Sequence, residues 1–295
     1  MKDSFFGVHW MLVTPFAEGE EVDTASIPRL VEKAQGAGCS GVVALGVTGE
    51  AARLTDEERG LVAKEVIGAA NGLPVTLGTT AASTRAAVAR SKEAESLGAT
   101  AVMVAAPPMV KTDLNALFVH YQRIAEAVDL PIVVQDYPQT SGVHMPPTFV
   151  ARLAENLPSV LYLKLEDPPT PTKLTAIRDI IGDRLGVFGG LGGVFLLDEL
   201  ARGSIGAMTG FAYPEILVRV CQHMAEGDRK LAEDVFHKHL PLILFESQEG
   251  ISLSIRKEAL HYQGLTTTPK LRHPGGPVTQ ATRRELHQLI STLGL

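Results

Sequence analysis

Only two cysteines, Cys39 and Cys221, occur in the 295 residues, far apart and each in an apolar setting. That excludes a disulfide framework and offers no metal-ligand spacing, so two buried, reduced thiols are expected. Long apolar runs are missing as well: none approaches the eighteen or so residues that would cross a membrane. Positive charge is in deficit, with 27 Lys and Arg against 33 Asp and Glu, a net charge of -6, and no basic run. Nucleic acid is therefore not an expected partner, and an anionic ligand would need local donors. The opening Met1-Lys2-Asp3-Ser4-Phe5-Phe6-Gly7 carries an acid early and lacks a long apolar core, unlike a secretory signal. A cytoplasmic protein is expected.

What is present is ordinary for a soluble globular protein: 45% apolar and 20% charged residues argue against disorder. The length suits either two average domains or one large barrel. Short apolar, β-rich runs alternate with longer helical patterns up to about residue 225, which predicts βα units with parallel strands. Eight strands are read: Val8 to Val13, Gly41 to Leu45, Val75 to Gly78, Ala101 to Ala105, Ile132 to Asp136, Val160 to Lys164, Gly186 to Phe188 and Ile205 to Thr209. Between them, Thr55-Asp56-Glu57-Glu58 is a capping box opening a helix to about Ala70, and Ser83-Thr84 opens another through Leu97. Gly36, Gly38, Gly72, Gly98 and Gly203 stand where left-handed helix ends are expected.

Eight units in about 220 residues fit an α/β fold of the closed kind, a (β/α)8 TIM barrel. A doubly wound dinucleotide fold is disfavoured, because Val13-Thr14-Pro15-Phe16 and not a Gly-x-Gly-x-x-Gly turn follows the first strand. From Asp228 the pattern is purely helical, with candidates at Leu231 to Leu244, Gly250 to Tyr262 and Thr279 to Leu293. The expected organisation is a barrel over residues 1–226 and a C-terminal helical extension, 227–295, packed on it.

In such a barrel the chemistry gathers where strands end. Lys164 closes the sixth strand. A lysine there either snorkels to water or is a desolvated amine able to form a Schiff base. Gln135 and Tyr137 alternate onto one face of the fifth strand's end, with Asp136 on the other. After the second strand, Gly46-Val47-Thr48-Gly49-Glu50 can aim N–H groups and a hydroxyl at a carboxylate. The Gly189-Gly190-Leu191-Gly192-Gly193 turn lets backbone pass close to a ligand or a neighbouring strand, and Met208 ends the eighth strand. Val47, Thr48, Gly49, Gly190 and Met208 are the candidate substrate contacts, and Lys164, Gln135 and Tyr137 the candidate catalytic residues.

These residues in this order, with Glu58 eight beyond Glu50 and Pro138 after the fifth strand, resemble the family of dihydrodipicolinate synthase and N-acetylneuraminate lyase. The resemblance runs from Leu12-Val13-Thr14-Pro15-Phe16 to the helical C-terminus. It implies that Lys164 attacks the C2 ketone of pyruvate or another 2-oxo acid. The iminium then serves as the electron sink for aldol cleavage, condensation or dehydration, with no metal or organic cofactor. It also implies a carboxylate site at Thr48 and the Thr48 and Gly49 N–H groups, and a homodimer or homotetramer.

The chain departs from the family pattern at its proton-handling positions. Gln135 stands where most members have a tyrosine, and an amide is no acid or base near neutral pH. Val47, Met109 and Thr140 fill the synthase's second hydroxyl, its donated tyrosine and its arginine, and Leu191 replaces a polar residue of the lyase. A less polar pocket is expected, suited to a less hydroxylated or partly apolar 2-oxo acid, or to a sugar-acid dehydratase. True 4-hydroxy-tetrahydrodipicolinate synthase activity with Tyr137 filling in, and a catalytically silent 2-oxo acid binding homologue, are the alternatives. His9, His144 and Glu166 are potential replacements for the missing proton carrier, read in the first place as surface residues.

Overall fold

The computed structural model describes residues 5–295; the part of the leader reading that falls on residues 1–4 lies outside them. The strands are β1 (Gly7–Met11), β2 (Gly41–Ala44), β3 (Val75–Gly78), β4 (Ala101–Ala105), β5 (Ile132–Asp136), β6 (Val160–Leu165), β7 (Gly186–Gly189) and β8 (Gly206–Thr209). They pair in parallel in chain order, and β8 returns to β1 to close the barrel. The helices that follow in sequence are α1 (Ile27–Gly36), α2 (Asp56–Ala69), α3 (Thr84–Leu97), α4 (Leu114–Ala125), α5 (Pro138–Ser141) and α6 (Pro147–Asn156). They continue with α7 (Thr170–Ile181), α8 (Leu196–Ala201), α9 (Pro214–Glu226), α10 (Arg229–Glu246), α11 (Ser252–Tyr262) and α12 (Gln280–Leu293). No helix of the described residues is long and apolar enough to cross a membrane.

Local chemistry accounts for the boundaries. Thr55 and Glu58 form the expected reciprocal capping box on α2, and Ser83 caps α3, which stops at left-handed Gly98. Gly36 is the last residue of α1, and the left-handed turn expected there is made by Gly38 alone. Strand β2 ends one residue early because Leu45 adopts a φ of 60°. That turn presses the Leu45 carbonyl against Gly78, where any Cβ would collide with it, so the glycine lets the chain leave the sheet.

The strands are apolar on both faces because both are buried. Met11, Val43, Met103, Val133, Phe188 and Met208 fill the barrel interior, while a second, larger layer lies between strands and helices. Each fully buried large side chain contributes roughly 1.5–3 kcal/mol. Both cysteines are buried and free; burial pushes each thiol up to about 12.

Polar contacts tie the helices beyond β8 to the barrel mouth. Lys257 on α11 pairs with Glu50 at 2.5 Å, Arg272 pairs with Glu58, and the Thr268 hydroxyl donates to the Phe16 carbonyl at 2.7 Å. Glu50, in the turn after β2, is thus an anchor for the extension. Its second oxygen accepts from Arg53 and from the Arg272 N–H.

Candidate active site

Lys164 lies on β6, directly opposite Gln135 of β5 and Phe188 of β7 in the sheet register. It is 3% exposed, and its Nζ sits 2.9 Å from Glu166 Oε2 and 2.9 Å from Met11 Sδ. Burial drives the amine below its ordinary pKa, while the neighbouring Glu166 carboxylate opposes that shift. Snorkelling is excluded, since the head points into the barrel and not to bulk water.

Glu166 changes the reading of this site most. The expectation of a loop residue at the surface fails: β6 runs on to Leu165, the Glu166 N–H continues the pairing to the Asp136 carbonyl at 2.9 Å, and the side chain is 7% exposed. Two residues along one strand share a face, so Glu166 stands beside Lys164. Gln135 Nε2 donates to the same Oε2 at 2.7 Å. The glutamine therefore meets the lysine through the carboxylate.

Asp136 turns to the other face, as alternation requires, and pairs with Lys173 at 2.5 Å; burial raises its pKa to about 6. Tyr137 returns to the inner face and lines the cavity with Gln135. Its phenol is pushed up by burial first and by Glu166 second.

The cavity above these groups is about 380 Å³ and is walled by Lys164, Glu166, Gln135, Tyr137, Thr48 and Arg256, with Val47 and Leu191 as apolar neighbours. A second, mostly apolar space of about 480 Å³ lies beyond Val47 and Gln135, with Thr140 and Pro108 in its wall.

Three of the candidate substrate contacts do not line the catalytic cavity. Gly49 is packed into the turn, its carbonyl accepting from the Thr14 hydroxyl at 2.7 Å. Gly190 serves the carboxylate: a Cβ there would overlap the Glu166 side chain, so the glycine makes room for that residue. Met208 is fully buried inside the barrel, one layer below the mouth, where Thr209 and Gly210 form the wall instead. Met109 packs against the core, away from the lysine. His9 is also buried inside the barrel, stacked on Phe5 and edge-on to Phe188, and His144 is an exposed partner of Asp167.

Arg256 was not anticipated from the sequence. It stands on α11 and is 7% exposed, with Nε bound to Glu246 Oε1 at 2.8 Å. A signal was present in Arg256-Lys257-Glu258. Three successive helix positions span some 200°, so consecutive charges in a packed helix cannot all face water, and all three are buried here.

The geometry, an amine under a carboxylate at the mouth of a closed barrel, can be set beside known proteins. The profile of the dihydrodipicolinate synthetase family matches residues 4–293. The chain belongs to that family. It is 32% identical to an L-2-keto-3-deoxyarabonate dehydratase of Azospirillum brasilense, over 95% of this chain and 92% of that protein. It is 30% identical to a 4-hydroxy-tetrahydrodipicolinate synthase of Phocaeicola vulgatus, over 97% and 96%. The solved structure of dihydrodipicolinate synthase from Rhodopseudomonas palustris superposes with a TM-score of 0.93 at 35% identity, covering 98% of this chain and 97% of that one. The barrel, the membership of the dihydrodipicolinate synthetase family and the reaction class, a Schiff-base-forming lyase of 2-oxo acids, therefore stand as read from the sequence.

Proposed function

We propose that this chain is a dehydratase of 4-hydroxy-2-oxo acids, working through an imine on Lys164 with Glu166 as the proton carrier. The observation that carries the proposal is the shared Oε2 of Glu166, 2.9 Å from Lys164 Nζ and 2.7 Å from Gln135 Nε2. Dehydration needs a base at C3 and an acid at the C4 hydroxyl. One carboxylate beside the imine nitrogen can serve both in turn.

The Lys164 ammonium first gives a proton to Glu166; the neutral amine then attacks the C2 ketone, and one of its protons passes to the oxygen to give the carbinolamine. Glu166 returns that proton to the carbinolamine hydroxyl, which leaves as water, and an iminium remains. The carboxylate then takes a C3 proton, and the iminium receives the electron pair as an enamine. Collapse of the enamine breaks the C4–O bond while Glu166 protonates the departing hydroxyl. Water finally hydrolyses the iminium, freeing Lys164 and the dehydrated 2-oxo acid. Gln135, unable to exchange a proton, orients the carboxylate. The dehydratase named among the relatives and the lack of the synthase's hydroxyl relay at Val47 and Gln135 support the same choice.

A panel of 3-deoxy-4-hydroxy-2-oxo sugar acids, scored for loss of water and for release of pyruvate, is the test. Water loss is expected; pyruvate release would make the chain an aldolase, and trapped adduct without turnover a silent homologue. The second reading, synthase activity, draws on Tyr137, which faces the cavity. A coupled assay with pyruvate and aspartate semialdehyde decides it. On the family pattern we also infer a homodimer or homotetramer in the cytoplasm, checked by sedimentation and by fractionation.

A further inference from the structure

The cavity holds one buried cation that the proposed chemistry does not use. Arg256 enters the mouth from the C-terminal extension, and its guanidinium is fixed from behind: Nε binds Glu246, which in turn accepts from the Ala212 N–H at 3.0 and 3.2 Å. Its Nη1 reaches to 3.4 Å from the Thr48 hydroxyl. Gly210 lies directly beneath, where a Cβ would stand 3.1 Å from Nη1.

On the facing side, the turn after β2 uses its Glu50 N–H on the Val47 carbonyl and its Ala51 N–H on the Gly46 carbonyl. The Thr48 and Gly49 N–H groups enter no such backbone bond among the described residues. The Thr48 hydroxyl and the outer half of a guanidinium fork thus meet at one corner of the cavity. A planar fork with spare donors matches a carboxylate and pairs with it strongly when both are withdrawn from water. The chain's net charge of -6 gives an anion no long-range attraction, and Glu166 and Glu249 at the mouth repel it. A local cation is what such a substrate requires.

We propose that Arg256 is a receptor for the C1 carboxylate of the 2-oxo acid, sharing it with Thr48, so that the C-terminal extension supplies part of the substrate site. This rests on the reading of the cavity as a 2-oxo acid site, though not on the imine itself. The location beside Thr48 assigns the arginine to the carboxylate adjoining the reacting ketone and not to the distal end of the substrate, which runs toward Glu166 and Leu191.

The test is equilibrium binding by calorimetry of pyruvate and of its neutral analogue pyruvamide to the wild type, Arg256→Met, Arg256→Lys and the double variant Arg256→Met/Glu246→Gln. The double variant removes the buried charge that the single one would strand. Borohydride trapping on the same samples reports the imine separately. The expected result is a pyruvate Kd raised about 100-fold in both methionine variants, a smaller rise in Arg256→Lys, and a pyruvamide Kd changed less than about threefold. Equal weakening of both ligands, or of neither, overturns the proposal. Absence of trapped adduct in a wild type that still binds pyruvate through Arg256 would sink the Schiff-base reading and leave this one standing.

Discussion

Glu166 Oε2 lies 2.9 Å from Lys164 Nζ, two residues on and just past the end of β6, so the nucleophile and an acid–base group arrive together from a single alternation of side chains. Gln135 completes the pair from the next strand. Replacing Glu166 by glutamine keeps the shape and removes the proton exchange. Turnover is expected to fall about 10²- to 10⁴-fold, the usual worth of a general acid–base, while borohydride still traps pyruvate on Lys164, though more slowly, because Glu166 also serves imine formation. Loss of trapping altogether would mean that the imine does not form without Glu166 and that the fall in turnover arises there and not in the dehydration step.

Lys164→Ala is expected to abolish both adduct and turnover, since no other lysine among the described residues lines the cavity. Gln135→Ala should cost less, roughly 10-fold in kcat, because it loosens the carboxylate without removing it. Steady-state rates on the substrate found by the panel compare the two directly; equal losses would mean that the glutamine itself touches the reacting atoms.

The pH dependence of trapping follows from the same contact. Burial holds the Lys164 amine below its ordinary pKa and the Glu166 charge raises it again. Taking the charge away in Glu166→Gln leaves the depressing influence unopposed, so the neutral amine should exist at lower pH. The acid limb of adduct formation, measured with saturating pyruvate, is expected to move toward lower pH in the variant. A shift to higher pH would show that the carboxylate does not act on this amine.

Gly190 offers a test of position alone. A methyl there overlaps the Glu166 side chain, its Cγ first. Gly190→Ala should therefore lose about 10- to 100-fold in turnover, as expected when a catalytic group is displaced by an ångström. Thermal unfolding and kcat measured on one preparation separate a loss of stability from a loss of turnover.

The barrel was legible because its eight strands are apolar on both faces and its helices carry strong caps: β3, β4 and β5 and the start and end of α3 fall where the residues place them. Ends were missed where tertiary contact decided them. Leu45 leaves β2 through a left-handed turn that only the opposing Gly78 permits, a relation between residues 33 apart. The lysine and glutamine were legible from strand register. Glu166 was misread as a surface residue because the sixth strand was ended at Lys164, whereas β6 runs on to Leu165 and a glycine on β7's exit gives the carboxylate its space. Arg256 was hidden because charge in a helix is read as a solvated face, and the cavity it enters belongs to strands more than forty residues away in sequence.

A last prediction concerns stability and not catalysis. Glu199 on α8 is 2% exposed and accepts from the Thr170 hydroxyl at 2.6 Å. Its Oε2 has no hydrogen-bond partner among the described residues, and it presses on Gly189 of β7. Burial raises its pKa to about 7, with the Thr170 bond opposing. A carboxyl whose folded pKa is raised binds more protons in the native state than in the unfolded one between those two values. Its stabilising share is therefore complete below about pH 4.5, the unfolded value, and is lost as pH rises through about 7. Glu199→Gln removes the titration but adds an amide with unsatisfied donors, which lowers stability by a constant amount. Urea unfolding at pH 5 and pH 8 should show the wild type losing on the order of 3 kcal/mol more than the variant across that interval. Parallel losses in the two proteins would mean that Glu199 is ionised throughout, and that Asp136, with its pKa near 6, or another group carries the change.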